Sequence, residues 1–405
     1  MSKTPRVRTR HLTAPEDFVR EMKQLGVHLE GVKIMTAKSS RSVFLVEDLD
    51  PRGANILKQE MLAVGAEACV PYSALQLEGD EKVKVLVFGE THRIARAIDK
   101  LRLQPFGLPE VARQMVNILE IRSSPTREIS WGRHRLVLDR TLVMGILNLT
   151  DDSFYDGGRY SDPQAAVRRA RQMVEEGADI IDVGAESTRP GAEPLSAEDE
   201  MERLKPVLEA LIGELDVPIS LDTYKSRVAA FFLGKEKLMI NDVTGLRDPA
   251  LARVVETNDV PVIIMHMLGD PRTMQKDPTY VDVVGDIMAF FRDRLNAASI
   301  TGIKPERIIL DPGIGFGKTL EHNLEILRRL DEFRDLGHPL LVGHSRKSFL
   351  GHITGQEVDD RLEASLGAGV VAAANGAGIL RVHDVAETRR SLAVLDAIRS
   401  GASKS

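Results

Sequence analysis

The chain has 405 residues, and 43% of them are apolar, which is enough for a large hydrophobic core. Its 54 Lys and Arg residues nearly balance its 60 Asp and Glu residues, and the net charge of -6 argues against a protein built chiefly to hold nucleic acid or an anionic membrane. Aromatic residues make up only 4% of the chain, so few side chains are available to stack on single-stranded nucleic acid.

The cysteine content and the apolar runs predict a location. Cys69 is the single cysteine, which excludes an intrachain disulfide framework and a Cys-rich zinc site. No apolar run approaches the roughly 18 residues that a membrane-spanning helix needs, and the basic residues at positions 1–10 lack the apolar stretch of a secretory signal. We therefore expect a cytoplasmic protein.

The first part of the chain predicts a small α+β domain over residues 1–130. Apolar runs at 43–46 and 83–88 have the composition of strands, and helical patterns follow them at 56–64 and 94–101. Glycine, proline and serine residues between 107 and 125 indicate that this domain ends shortly after them. The domain carries no motif with a known mechanism, so its role stays open.

Residues 131–405 show a different, repeating pattern. Eight short runs rich in Val, Ile, Leu and Met are each followed by an amphipathic helical stretch, and they lie at 143–149, 179–183, 218–221, 238–241, 261–265, 307–310, 339–342 and 378–382. Continuous apolar strands separated by helices indicate a parallel sheet that is covered on both faces. Eight such units in this length predict a (β/α)₈ TIM barrel, with a doubly wound open sheet as the alternative.

Polar residues follow nearly every predicted strand. They are Asn148, Asp182, Asp222, Asn241, Asp242, His266, Asp311, Ser345, Arg346, Lys347, Arg381 and His383. One such residue alone is readily explained as a helix cap or a satisfied core histidine. Because the carboxyl ends of barrel strands meet at one face, their repeated occurrence there predicts a binding site. Acids and amides suit the NH groups of a neutral heterocycle, while Arg189, Lys347, Arg381 and His383 supply cations for a phosphate.

Two familiar motifs are matched only in part, and a third is absent. Pro312 stands where a P-loop needs glycine, and Lys347 stands where a nucleophile elbow around Ser345 needs its last glycine. The ten histidines include no HExxH pair, so a tightly held zinc is not predicted. Carboxylate and amide oxygens favour Mg²⁺ brought in with a diphosphate.

A series of sequence segments resembles the motifs of the dihydropteroate synthases, the pterin-binding folate-pathway enzymes that sulfonamides inhibit. The segments lie at 144–158, 181–191, 220–223, 240–242, 265–267, 310–318, 345–348 and 381–384, and the resemblance covers about residues 130–400. It implies a transferase that joins 6-hydroxymethyl-7,8-dihydropterin pyrophosphate to p-aminobenzoate and releases Mg²⁺-bound pyrophosphate. It also implies a homodimer.

The resemblance further implies a role for individual residues. The pterin would be held by Asp222, Asn241, Asp311 and Lys347, and p-aminobenzoate by Phe154, Thr188, Arg189, Pro190, Phe316, Ser345 and Lys347. Asn148 would meet Mg²⁺ and the phosphates, with help from Arg381 and His383. Asp222, Asp182 and Lys347 would carry the catalysis, since carboxylates can stabilise the cation that remains when pyrophosphate departs.

Three residues depart from the family pattern. Asp151 stands where proline is usual, Tyr155 where a small residue is usual, and His344 where methionine is frequent. We expect them to affect substrate acceptance more than reaction class. His344 lies close to Lys347 in sequence and is expected to titrate near neutrality unless its surroundings perturb it.

Two other functions compete. A pterin-binding methyltransferase that acts with a corrinoid partner would keep Asp222, Asn241 and Asp311, but it has no need of the segments at 188–191 and 345–347. A non-catalytic pterin-binding protein gains little from Asn148, Lys347, Arg381 and His383. Both rank below the synthase.

Overall fold

The computed structural model describes residues 8, 10, 15–75, 81–126, 128–149, 163–186, 194–269, 274–275 and 277–400. The chain divides into two compact units, Met1–Ser123 and Ser124–Ser405. Among the described residues, no helix combines the length and the apolar character that crossing a membrane requires.

The first unit is a three-stranded antiparallel sheet with helices. Its elements are α1 (Pro15–Gln24), α2 (Leu29–Thr36), β1 (Arg41–Leu49), α3 (Pro51–Ala63), β2 (Glu67–Cys69), β3 (Val83–Glu90), α4 (Thr91–Leu101) and α5 (Leu108–Ser123). The sheet order is β1-β3-β2. Phe44 and Val46 are buried while Val43 and Leu45 are exposed, which is the alternation of a sheet with one covered face. The predicted α+β character is confirmed.

The second unit begins with a hairpin of β4 (Glu128–Trp131) and β5 (His134–Val137). The indole N–H of Trp131 donates a hydrogen bond to the carbonyl of Lys237 at 2.8 Å. Arg307 donates to the carbonyl of Ser130. Lys237 and Arg307 both lie just before strands of the barrel, so the hairpin is anchored at the amino ends of those strands.

Eight strands and their helices follow in alternation. They are β6 (Leu142–Asn148), α6 (Pro163–Glu175), β7 (Ile180–Gly184), α7 (Ala197–Ile212), β8 (Ile219–Asp222), α8 (Ser226–Leu233), β9 (Met239–Asp242), α9 (Pro249–Asn258), β10 (Val262–Met265), α10 (Val283–Thr301), β11 (Ile308–Asp311), α11 (Leu320–Arg328), β12 (Leu341–Val342), α12 (Ser348–Thr354), α13 (Leu362–Ala374), β13 (Ile379–Val382) and α14 (Val385–Ser400). Each strand starts and ends within two residues of its predicted position.

The strands form a closed parallel ring. Neighbours in sequence are neighbours in the sheet, and β13 returns to pair with β6. A parallel bridge between Leu310 and Leu340 joins β11 to the segment before β12. All four residues of β10 are buried, as a strand covered on both faces requires. The predicted (β/α)₈ barrel is therefore confirmed.

Candidate active site

The structure brings the predicted polar residues to one end of the barrel. Asn148, Asp222 and Asp311 are the last residues of β6, β8 and β11. Asp182, Asn241 and Arg381 lie one or two residues before the ends of their strands. Because all eight strands are parallel, these side chains belong to the carboxyl-terminal mouth, where TIM barrels place their chemistry.

Arg381 links two of the acids. Its Nε lies 2.6 Å from Oδ2 of Asp182, and its Nη2 lies 2.8 Å from Oδ2 of Asp222. The amide of Asn241 also donates to Oδ2 of Asp182, at 3.2 Å. The other oxygen of Asp182 is buried and has no hydrogen-bond partner among the described residues. This part of the mouth therefore holds two carboxylates around one guanidinium.

The position of Asp222 alters its acidity. Burial raises the pKa of Asp222 to about 7, the negative charge of Asp182 adds to the rise, and Arg381 opposes it. Without Arg381 the two acids would face each other in a region of low dielectric. Near neutral pH, the charge of Asp222 therefore depends on its neighbours.

Lys347, Phe316 and Asp311 form another part of the mouth. Nζ of Lys347 donates to the carbonyl of Ile314 and lies 4.4 Å from the centroid of the Phe316 ring. Burial lowers the pKa of Lys347 to about 7, although Asp311 opposes this shift. Oδ1 of Asp311 accepts from the amide of Gly313 at 2.8 Å, and burial raises the pKa of this carboxyl.

A glycine allows Lys347 to lie across the loop after β11. Gly315 has φ +83°, and a Cβ atom there would lie 2.9 Å from Cδ of Lys347. A side chain at this position would be strained by the backbone conformation and would also displace the lysine.

Ser345 and His383 contact each other beside the strand that carries Arg381. Oγ of Ser345 accepts from the backbone N–H of His383 at 3.2 Å and lies 3.0 Å from its Nδ1. Burial, followed by the charge of Arg381, lowers the pKa of His383 to about 3. The imidazole is therefore neutral at pH 7. Burial therefore opposes the expected role of His383 as a cation.

The turn that presents Ser345 and Lys347 is held by a buried ion pair. Arg346 has φ +59° and forms two hydrogen bonds with the carboxylate of Asp384, at 2.8 and 2.5 Å. His344 is buried, and its Nε2 lies 2.9 Å from the carbonyl of Ser365. Burial lowers the pKa of His344 to about 4, so its surroundings move its titration away from neutrality.

A second charged cluster was missed from the sequence. Nζ of Lys225 contacts the carboxylates of Glu186 and Glu200, and the hydroxyl of Tyr224 donates to Glu186 at 2.8 Å. Glu186 also accepts from the amide of Leu195 at 3.1 Å. Glu186 follows β7 and Lys225 follows β8, so the positions after strand ends could have pointed to these residues.

Several predicted ligands cannot be placed. Phe154, Thr188, Arg189 and Pro190, together with the departures Asp151 and Tyr155, lie outside the described residues. Asn148 is described and pairs with Gly184 across β6 and β7. Within the described part of the chain, no group of three or more His, Cys, Asp or Glu side chains has the arrangement of a metal site.

Comparison with known proteins assigns the family. The profile of the pterin binding enzyme family matches residues 144–383. The dihydropteroate synthase of Synechocystis is 46% identical over 272 residues, which are 66% of this chain and 91% of that protein. The chain belongs to the dihydropteroate synthase family of pterin-binding enzymes.

Other members of the dihydropteroate synthase family extend the comparison. A probable bifunctional folylpolyglutamate synthase/dihydropteroate synthase of Halobacterium salinarum is 43% identical over 352 residues, or 87% of this chain. The chain spans only 42% of the length of that relative. A Yersinia pestis dihydropteroate synthase with a sulfonamide complex aligns with TM-score 0.66 and 41% identity, over 67% of this chain and 99% of the other. A Xanthomonas albilineans enzyme in complex with 7,8-dihydropteroate gives TM-score 0.62 and 39% identity, over 67% and 99%.

Proposed function

We propose that this chain condenses 6-hydroxymethyl-7,8-dihydropterin pyrophosphate with p-aminobenzoate to give 7,8-dihydropteroate and pyrophosphate. The observation that carries the proposal is the pairing at the mouth of buried acids with Arg381 and Lys347. The family relationship supports it, as does the relative from X. albilineans that binds 7,8-dihydropteroate.

The buried acids would recognise the pterin ring. Asp222, Asn241 and Asp311 present oxygen acceptors, and a dihydropterin presents an amino group and ring NH groups that need acceptors. Lys347 would donate to the carbonyl and a ring nitrogen of the pterin. A buried polar group that lacks a partner is costly, so a ligand that pairs these groups gains affinity and orientation.

The reaction needs no protein nucleophile. The bond between the pterin methylene carbon and the pyrophosphate oxygen breaks, and its electron pair leaves with pyrophosphate. The carbocation that remains is delocalised into the dihydropterin ring, and the Asp222 carboxylate, held by Arg381, would stabilise it electrostatically. The aniline nitrogen of p-aminobenzoate then forms the new C–N bond and loses a proton.

The residues at the mouth are compatible with a Mg²⁺ ion that arrives with the substrate. Mg²⁺ keeps several waters and is commonly bound by one or two protein oxygens together with substrate phosphates. The amide oxygen of Asn148, at the end of β6, would be such a ligand. The ion would neutralise part of the charge of the leaving diphosphate. Arg381 and Lys347 would supply further positive charge from the protein.

We further propose that the protein is a homodimer. Val371 on α13 and Val394 and Ile398 on α14 are 48%, 60% and 74% exposed, and these two helices pack side by side. Apolar side chains grouped on adjacent helices are typical of an interface. Light scattering should give twice the chain mass for the wild type, and Val394→Glu should shift the protein towards the monomer. A wild-type protein with the mass of one chain would contradict the proposal.

The free, exposed Cys69 agrees with a reducing compartment such as the cytoplasm.

A coupled assay tests the reaction. Purified protein with Mg²⁺, the pterin pyrophosphate and p-aminobenzoate should form dihydropteroate and release pyrophosphate in equal amounts. Absence of dihydropteroate from the folded protein would contradict the proposal. Methyl transfer from methyltetrahydrofolate to a corrinoid protein, without dihydropteroate formation, would establish the alternative.

A further inference from the structure

The loop after β11 is held by a separate side chain at each of four consecutive carbonyls. Those of Ile314, Gly315, Phe316 and Gly317 accept from Lys347, Gln275, Lys318 and Tyr280 respectively. The last three bonds measure 2.7, 2.9 and 2.8 Å. Such a loop has a single well-defined path, and the mechanism above gives no role to Lys318, the donor to Phe316.

Lys318 is a buried lysine whose bonds go to the main chain and to a histidine. Its Nζ lies 2.9 Å from the carbonyl of Phe316, 3.0 Å from Nδ1 of His266 and 3.4 Å from the carbonyl of His266. These three acceptors match the three donors of an ammonium group. Among the described residues, no carboxylate is a hydrogen-bond partner of this Nζ.

Burying this amine has a free-energy cost. Lys318 is only 4% exposed, and burial lowers its pKa well below the usual value, while Asp311 opposes the shift. An apolar residue could fill a buried position without that cost. The amine is therefore better explained by what it connects than by its contribution to packing.

The connection runs between two loops at the barrel mouth. His266 follows β10 and Phe316 follows β11, so Lys318 joins the ends of two neighbouring strands. The His266 ring is fixed by an edge contact with Phe290, with centroids 4.9 Å apart. Burial, followed by the charge of Lys318, lowers the pKa of His266 to about 2, so the ring is neutral and its Nδ1 can accept from Lys318.

We propose that Lys318 is a positioning residue for the p-aminobenzoate half of the reaction. By binding the carbonyl of Phe316, it holds the aromatic ring against Nζ of Lys347. The inference rests on the proposed function, in which Phe316 and Lys347 frame p-aminobenzoate. Lys347 would contact both substrates, but Asp222, Asn241 and Asp311 would hold the pterin without any hydrogen bond to Lys318. The pterin side therefore depends on Lys318 less than the p-aminobenzoate side does.

The test is Lys318→Met in the full chain. Methionine has a similar length and no donor, so the bonds to Phe316 and His266 are lost. Because one lost bond to a charged donor is worth about tenfold in an equilibrium, we expect the KM for p-aminobenzoate to rise about tenfold or more. The KM for the pterin pyrophosphate should change by less than about threefold, and so should the calorimetric affinity for a pterin.

Two further variants make the result decisive. Lys304→Met removes an exposed lysine that pairs with Asp259 and should leave both KM values unchanged. Lys318→Gln keeps an NH2 donor group and should raise the KM for p-aminobenzoate less than Lys318→Met does, again with little effect on the KM for the pterin pyrophosphate. It also serves if the methionine variant does not fold.

The outcomes separate the two hypotheses. If the wild-type protein makes no dihydropteroate, the proposed function fails and the inference fails with it. If the wild type is active but Lys318→Met leaves the KM for p-aminobenzoate unchanged, or raises both KM values equally, only the positioning role is overturned. Failure of both Lys318 variants to fold would likewise assign Lys318 to stability alone.

Discussion

Nη2 of Arg381 lies 2.8 Å from Oδ2 of Asp222, so a guanidinium directly contacts the carboxylate that would stabilise the pterin cation. The same guanidinium reaches Asp182 through Nε. Arg381 therefore balances two negative charges, and the site keeps its acids close together only because the arginine lies between them.

Arg381→Met should impair both stability and turnover. The substitution leaves Asp182 and Asp222 buried without their shared partner, and breaking a buried ion pair in this way typically costs about 3–5 kcal/mol. Urea unfolding should show this loss, and kcat should fall by about 100-fold or more because Asp222 becomes harder to ionise. Arg140→Met, at an exposed pair with Asp179, is the control and should leave kcat unchanged. A stable, active Arg381→Met enzyme would contradict the role of the arginine.

Asp222→Asn should reduce turnover far more than stability. Asparagine keeps the shape and an acceptor oxygen, and it removes a charge that Asp182 repels. The free energy of unfolding at pH 7 should therefore stay within about 1 kcal/mol of the wild type, or rise. We expect kcat to fall by about 100-fold, since the negative charge beside the carbocation is lost. Wild-type turnover would show that Asp222 does not act electrostatically.

The titration of Asp222 should make the stability of the protein depend on pH. The folded pKa is raised from 3.8 to about 7, so between these values the folded state binds more protons than the unfolded state. The contribution of Asp222 to stability is then fully present below about pH 4 and is lost as the pH rises towards 7. Between pH 4 and pH 7, the free energy of urea unfolding of the wild type should fall relative to that of Asp222→Asn, which lacks the titrating carboxyl group. Parallel curves for the two proteins would contradict the raised pKa.

Gly315→Ala should displace Lys347. Alanine at φ +83° is strained by about 1–2 kcal/mol, and its Cβ would lie 2.9 Å from Cδ of the lysine. Thermal unfolding should show the loss of stability, and the KM values should rise because Lys347 can no longer occupy its position. Gly213→Ala is a matched control, since nothing lies within 4 Å of its added Cβ and its φ is -83°. Equal behaviour of the two variants would refute the requirement for glycine at 315.

Removal of residues 1–123 should leave the reaction intact. Every described residue of the candidate site belongs to the unit Ser124–Ser405, whose hydrophobic core is a separate cluster from that of the first unit. The truncated protein should keep kcat and both KM values within about twofold, a change equivalent to less than 1 kcal/mol. A folded but inactive truncation would show that the first unit takes part in catalysis.

The barrel could be predicted because its strands carry a strong local signal. The eight apolar runs are continuous, as burial on both faces requires, and a polar residue marks the end of almost every strand. β2 was not predicted, because its three residues are too few for a period to appear. Short edge strands depend on pairing with a neighbour, here β3, rather than on their own composition.

The electrostatics of the site could not be predicted in the same way. Arg381 and Asp182 are 199 residues apart, and their contact exists only because β13 and β7 both flank β6 in the closed ring. His383 was expected to be a cation, but burial beside Arg381 makes it neutral. Lys318 was visible only as part of a glycine-rich string, since its partner His266 lies 52 residues away. The sequence shows which residue types follow each strand, but the charge that each residue carries depends on neighbours that only the fold brings together.

The anchoring of Trp131 to Lys237 gives the two faces of the barrel different tolerances to change. The hairpin is anchored at the amino ends of β9 and β11, away from the candidate site. Loop residues at the carboxyl ends of the strands can change, and with them substrate preference, without disturbing this anchor. Substitutions that change substrate preference should therefore cluster at the carboxyl ends of the strands, and those that lower the melting temperature should be enriched at the amino ends.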